Sequence, residues 1–190
     1  MRRLGKPVIG MLLVSALLAS CEGSGPFPAA APGSPLPLAS IQELMQGLVD
    51  PAADELWDAV STEVTAQGEV EHRPADDASW LKLRRRALLV AEAANLLAQP
   101  GRVVVHAGNA LEDSHVKGIL TGPAIEQRIK SDPAEFAARA KALQEAARAL
   151  LGAIDKRDIQ AYLAAGSQLD HACESCHQRY WYPNDKVPAN

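Results

Sequence analysis

The sequence predicts an all-α domain, an antiparallel four-helix bundle over residues 39–182. Three observations carry the prediction. Apolar residues recur at helical spacing in four long stretches. The links between most of these stretches are short and marked by Pro, Gly or Asp. The composition is rich in Ala and Leu with only 4% aromatic residues, which suits helices. A chain of 190 residues is long enough for one such domain with a real core. No repeated β-period is apparent.

The first helix begins near residue 39. Ile41, Leu44, Met45, Leu48, Ala52, Ala59, Val60 and Val64 mark one face to about Gln67. Pro51 interrupts it, and because Asp50-Pro51 is a good helix start, a kink or restart is expected there. The second helix runs from about Asp77 to Gln99, lined by Leu83, Ala87, Leu88, Ala91, Ala94 and Leu97 and ended by Pro100-Gly101. A long connection covers roughly 101–122, with a short helical piece at 123–130. The third helix opens with Asp132 as N-cap, Pro133 at the first position and Glu135 at the third, a capping-box arrangement. Phe136, Ala140, Leu143, Ala147, Leu150 and Ile154 then repeat close to every 3.5 residues, the seam of a bundle. The fourth helix starts near Asp158, carries Ile159, Tyr162, Leu163, Gly166, Leu169, Cys173, Cys176 and Tyr180, and stops at Pro183. Residues 183–190 form a C-terminal tail.

Ahead of the bundle the chain reads as an export and tethering segment. A basic head, Met1 to Lys6, precedes an apolar run from Val8 to Ala19 that is too short for a comfortable membrane span. Residues 1–20 are therefore expected to be a signal peptide. The run ends Leu18-Ala19-Ser20-Cys21, which resembles the lipobox of bacterial lipoproteins, where the cysteine becomes lipidated. The rival reading is an ordinary cleaved signal with an incidental cysteine. Residues 21–38 hold five prolines among Gly, Ser and Ala and form an extended tether without a core. The expected location is the bacterial periplasm or cell envelope, with membrane attachment through the lipid anchor only. Loss of Arg2, Arg3 and Lys6 with the signal would take the formal charge of −4 three units further negative. An acidic chain of this kind is a poor partner for nucleic acid.

The chemistry is concentrated in Cys173-Glu174-Ser175-Cys176-His177. This C-x-x-C-H run reads as a c-type haem attachment site, two thiols for thioethers and an imidazole for the iron. A structural zinc site needs a second Cys or His pair at matching spacing, and none appears. A thioredoxin-like redox pair opens a helix after a strand, whereas this pair closes a helical stretch. Cys173, Cys176 and His177, spaced at three and four, share one helix face. Bundle cores are a usual place for a cofactor.

An all-helical chain with its single C-x-x-C-H on the last helix resembles the cytochrome c′ / cytochrome c556 family, over about residues 39–182. Tyr180, three residues past the histidine, stands where members often carry an aromatic. The resemblance implies one covalent haem c with His177 as proximal iron ligand. It also implies a distal position on the first helix, where the c556 branch places the methionine of a Leu-Met pair; Leu44-Met45 stands there. With Met45 as second ligand the haem is low-spin and suited to electron transfer. Without it the haem is five-coordinate and open to nitric oxide or carbon monoxide. Met45 as simple core packing is the competing reading, and Met45 is the only methionine outside the signal segment. No general acid/base pair or activated nucleophile is visible, so no catalytic residues are expected; the carrier reading implies redox partner proteins, and members of the family are often homodimers through their first two helices, a surface that Pro51 could alter.

Two positions depart from the family: Ile41 stands where a propionate-pairing basic residue is common, and Trp181 where an arginine is common. Arg179 is a candidate substitute. Tyr180, Trp181 and Tyr182 cluster beside the histidine and either wall the cofactor or plug the helix end. His72, His106 and His115 sit in loops, where a second haem contact is conceivable and simple exposure commoner. His171 belongs on the surface or rim. Trp57 and Trp80 read as core or rim packing, and Arg84-Arg85-Arg86 as a solvated face. The expected function is a membrane-tethered single-electron carrier. The alternatives are a gas-binding haemoprotein and a structural helical lipoprotein without haem.

Overall fold

The computed structural model describes residues 36–183. The signal segment, Cys21, nearly all of the proline-rich tether and the tail beyond residue 183 lie outside the described residues. Within them, four helical arms make the bundle. The first arm is composite: α1 (Ile41–Leu44), a π-helical turn (Met45–Val49) and α2 (Asp50–Asp58) follow without a break. Then come a hairpin of β1 (Ser61–Thr65) and β2 (Gly68–His72), the long helix α3 (Asp77–Leu97), a loop, short α4 (Gly122–Ser131), and long α5 (Pro133–Lys156) and α6 (Ile159–Tyr180).

The π turn is the form taken by the interruption expected at Pro51. Proline has no N–H to give the Gly47 carbonyl, and its ring crowds that carbonyl. The Asp50 N–H instead reaches back five residues to the Met45 carbonyl. An i→i+5 turn brings residues five apart onto one face, and Leu44 and Val49 are buried to 3% and 2% exposure. Ser40 and Glu43 close a reciprocal capping box at the start of α1.

The expectation that the first helix continues to Gln67 is overturned. It ends at Asp58, and residues 61–72 form a two-stranded antiparallel hairpin, pairing Thr65 with Gly68 around a two-residue loop. Gly68 sits at φ 126°, open only to glycine. Val64, counted on the apolar helix face, is 79% exposed, so no burial holds this stretch helical. Its β-branched residues take a strand instead.

The other helices keep close to their expected bounds because caps fix them. Asp76, Asp132 and Asp158 accept from the N–H three residues on, at the starts of α3, α5 and α6. At α5 the expected reciprocal box is half made: Asp132 caps, but the Glu135 carboxylate turns to Arg139 and Arg179. The C-terminus of α5 closes on Arg157, in the left-handed region at φ 54°.

The main core lies between α3, α5 and α6, with α2 laid on α3. Alanines fill much of the contact, among them Ala87 and Ala147, both at 0% exposure, and let the helices approach closely. The first arm reaches α6 through long side chains. Tyr162 donates its hydroxyl to the Leu56 carbonyl at 2.5 Å, and Trp57 its indole N–H to the Gly166 carbonyl at 3.4 Å. A second cluster, Val104, Ile125 and Tyr180, roofs one end of the bundle. Gly122 begins α4 beneath the loop, where a Cβ would come within 2.9 Å of Val105 Cγ1. No helix among the described residues is long and apolar enough to cross a membrane.

Candidate functional site

A cavity of about 330 Å³ opens between the first arm and the end of α6. From α6 it receives Cys173, Cys176, His177, Tyr180 and Trp181; from the first arm, Ile41, Met45 and Val49. α4 adds Ile125 and Ile129, and α5 adds Phe136, Arg139 and Leu143. The two thiols are not joined to one another. Burial pushes both up, Cys173 to about 12 and Cys176 to about 11, so they stand as neutral thiols. Burial acts the opposite way on His177, lowering it below the ordinary imidazole value against the nearby Glu174 charge. The ring is therefore neutral at pH 7, with a lone pair to give. Trp181 and Tyr182 pack edge-on against it, centroids 5.2 and 5.9 Å away.

Every haem-site residue read from the sequence within the described range lines this one cavity: Cys173, Cys176, His177, Tyr180 and Met45. Trp57 lines it too, and Trp80 is buried in the core, edge-on to Tyr162. Tyr182 packs behind the imidazole rather than on the cavity. None of His72, His106, His115 and His171 enters it; His72, expected in a loop, is the last residue of β2. His106 meets Glu43 at 3.0 Å, His72 lies near Glu63 at 3.5 Å, and His115 and His171 are exposed. The Glu43 carboxyl is held low, mainly by its bonds with Ser40. The contact fastens the loop to α1, so Val104 and Leu111 come over the cavity.

Arg179 does not line the cavity. It is held by Glu135 at 3.0 Å, and its carbonyl accepts from Arg128. Among the described residues the only arginine on the cavity wall is Arg139, whose role sequence reasoning missed. Five carboxylate residues share that wall, Asp50, Asp54, Glu112, Asp170 and Glu174. Arg84 and Arg86 pair with Asp155 and Glu55 on the surface.

The residues present fit a covalently held haem. Two neutral thiols and a neutral imidazole project from one helix face into an apolar space, within the range of about 300–1,000 Å³ usual for cofactor pockets. Two buried polar atoms, Tyr180 Oη and Trp181 Nε1, have no partner among the described residues, and both side chains belong to the cavity wall. No group of three or more His, Cys, Asp or Glu side chains able to hold a bare metal ion occurs among the described residues, so the zinc reading lacks its ligand set there.

Fold and site together define a helical bundle that binds haem through a C-x-x-C-H motif. Residues 111–181 match the family model described as Cytochrome C'. Its members are periplasmic, non-enzymatic haem proteins that hold one haem c covalently in a four-helix bundle. The match takes in α4, α5, α6 and the attachment motif; Met45 lies outside it. No curated protein and no solved structure matches the chain.

Proposed function

We propose that the protein carries single electrons through a low-spin haem, which Cys173 and Cys176 would hold covalently and to whose iron His177 and Met45 would give their lone pairs. The supporting observation is that Met45, the only methionine past residue 11, lines the same cavity as His177. The π turn starts at this residue, and such turns recur at functional sites. When bound, the haem supplies a one-electron couple, which thioether ligation and burial both bias toward higher potential. The chain's part is to hold, orient and desolvate. Val49, Leu143 and Ile125 keep water from the cavity, and Trp181 and Tyr182 fix the imidazole plane.

A second reading, a five-coordinate gas-binding haemoprotein, draws on the packing of Met45 against the apolar core. A methionine content with that packing leaves the distal side open. Optical spectra of the oxidised and reduced holoprotein separate the two. Electron transfer predicts a low-spin spectrum that turns high-spin in Met45→Ala. A high-spin wild-type protein that takes up carbon monoxide readily overturns it. Redox proteins of the periplasm are the partners this reading requires. Lipidation at Cys21 would hold the domain at a membrane, and Cys21→Ser would then release it from the membrane fraction.

A further inference from the structure

Glu174 is the first of the two residues between the cysteines. It stands one turn before His177 on α6, and both line the haem cavity. Its carboxylate is fixed from two directions. Gln178 Nε2 donates to one oxygen at 2.9 Å, and Tyr182 Oη donates to the other at 2.6 Å. Tyr182 is itself tied to the imidazole residue. Its N–H donates to the His177 carbonyl at 3.0 Å, and its ring lies 5.9 Å from the imidazole at 65°. Glu174 and His177 of the attachment motif are thus tied into one fixed unit by Tyr182.

Among the described residues no Lys or Arg pairs with Glu174. The nearby arginines are taken elsewhere: Arg179 bonds Glu135, and Arg139 bonds Glu135 and the Ser175 carbonyl. A fixed negative charge at a half-buried wall acts at higher strength than in bulk water. Groups around a metal-binding imidazole tune the metal as well as orient the ring.

We propose that Glu174 is a positioning residue that sets the reduction potential from the proximal side, its fixed charge favouring the oxidised haem. The inference rests on the reading of His177 as iron ligand. A carboxylate charge held beside the cavity attracts the more positive, oxidised haem and so lowers its tendency to take up an electron.

The test is an equilibrium redox titration of the holoprotein with optical detection. Glu174→Gln keeps the shape and one acceptor oxygen but loses the charge; its amide NH2 faces the second partner, which turns to accept, as the Tyr182 hydroxyl or a flipped Gln178 amide can. It is expected to raise the reduced-to-oxidised ratio at fixed poise by threefold to tenfold, the upper end being 59 mV for one electron. Glu174→Asp retains the charge and should stay within twofold of wild type. Tyr182→Phe leaves the ring on the imidazole and removes one dipole that screens the carboxylate, so the ratio should move the other way. This variant carries the test if Glu174→Gln fails to load haem. An unchanged ratio in Glu174→Gln, an equal shift in Glu174→Asp, a change of spin state in Glu174→Gln, or a Tyr182→Phe shift in the Gln direction would each overturn the proposal. Failure of the ligand reading shows separately, as a His177→Gly holoprotein that keeps the wild-type spectrum.

Discussion

Arg139 Nη1 donates to the Ser175 carbonyl at 2.7 Å, so a side chain of α5 holds the backbone between the two haem cysteines. The same guanidinium grips Glu135 one turn back at 2.8 Å, and the other oxygen of Glu135 takes Arg179 of α6 at 3.0 Å. One acid and two bases thereby stitch α5 to the attachment helix beside the cavity. A charge-assisted bond to a half-buried carbonyl contributes about 1.5–3 kcal/mol. Arg139→Met is expected to destabilise the holoprotein by about 1–2 kcal/mol in chemical denaturation. Arg139→Lys should recover less than half, because an ammonium cannot make the fork.

Acid should find the same stitch. The side-chain bonds from Arg139, then Arg179, hold the Glu135 carboxyl below its ordinary value of 4.5. A folded-state value below the unfolded one means that the unfolded chain binds the proton first. The contribution is therefore present above pH 4.5 and lost as pH falls through the depressed folded value. Denaturation midpoints followed from pH 7 to pH 3 should drop in the wild type below this point. In Glu135→Gln, lower at neutral pH, the drop should be shallower; an equal slope would count against Glu135 as the group responsible.

Much of this was legible in the sequence, for identifiable reasons. The helices of Leu83, Leu143 and Leu169 could be placed because each buries one face and is started by an aspartate. The hairpin could not, because Val64 falls at helical spacing from Val60 and nothing in the pattern tells a buried valine from an exposed one. Thr62, Val64, Thr65, Val70 and Gly68 were the available signal, five strand and turn formers in a stretch with no apolar face to bury. Cys173, Cys176 and His177 are legible as a motif, since spacing alone puts them on one face. The hydrogen bonds of Arg139 and Glu174 are not, because they depend on how α5 and the chain past α6 lie against the motif. The π turn was signalled by Pro51 only as a break, and its form depends on the burial of Leu44 and Val49 together.

Tyr162 closes the first arm from across the bundle. Leu56 is in the last turn of α2, where carbonyls lack partners within the helix, and the Tyr162 hydroxyl supplies one at 2.5 Å. Burial pushes this phenol well above its usual range, so it remains a donor throughout the working pH range. Tyr162→Phe leaves a buried carbonyl unpaired and is expected to cost about 1–3 kcal/mol. For a domain of this size each kcal/mol lowers the melting temperature by about 2–4 °C. Calorimetry of the holoprotein checks it, and a shift below 1 °C would mean that water replaces the hydroxyl.

Leu150 tests the core at a place remote from the haem cavity. It is fully enclosed, at 0% exposure, in the α3–α5–α6 contact. Alanine neighbours such as Ala87 and Ala147 have no rotamers with which to fill a void, so the space left by Leu150→Ala should stay open. A loss of about 3–5 kcal/mol is expected in chemical denaturation, toward the upper part of the range for such substitutions. The optical spectrum should be unchanged, since no cavity-lining residue moves.

Pro51 connects the backbone to the ligand question. Two influences hold the π turn: Leu44 and Val49 want one face, and Pro51 denies the Gly47 carbonyl its α-helical donor. Pro51→Ala returns an N–H that competes for that carbonyl and pulls the turn toward α-helical register. Any such shift rotates everything N-terminal to it, and Met45 begins the turn. The variant is expected to keep or gain thermal stability while its oxidised spectrum loses part of the low-spin form. Hydrogen exchange at residue 51 should show protection absent from a proline by nature. A fully low-spin Pro51→Ala would instead place control of Met45 with the buried pair, and Val49→Ala would then be the substitution that releases it.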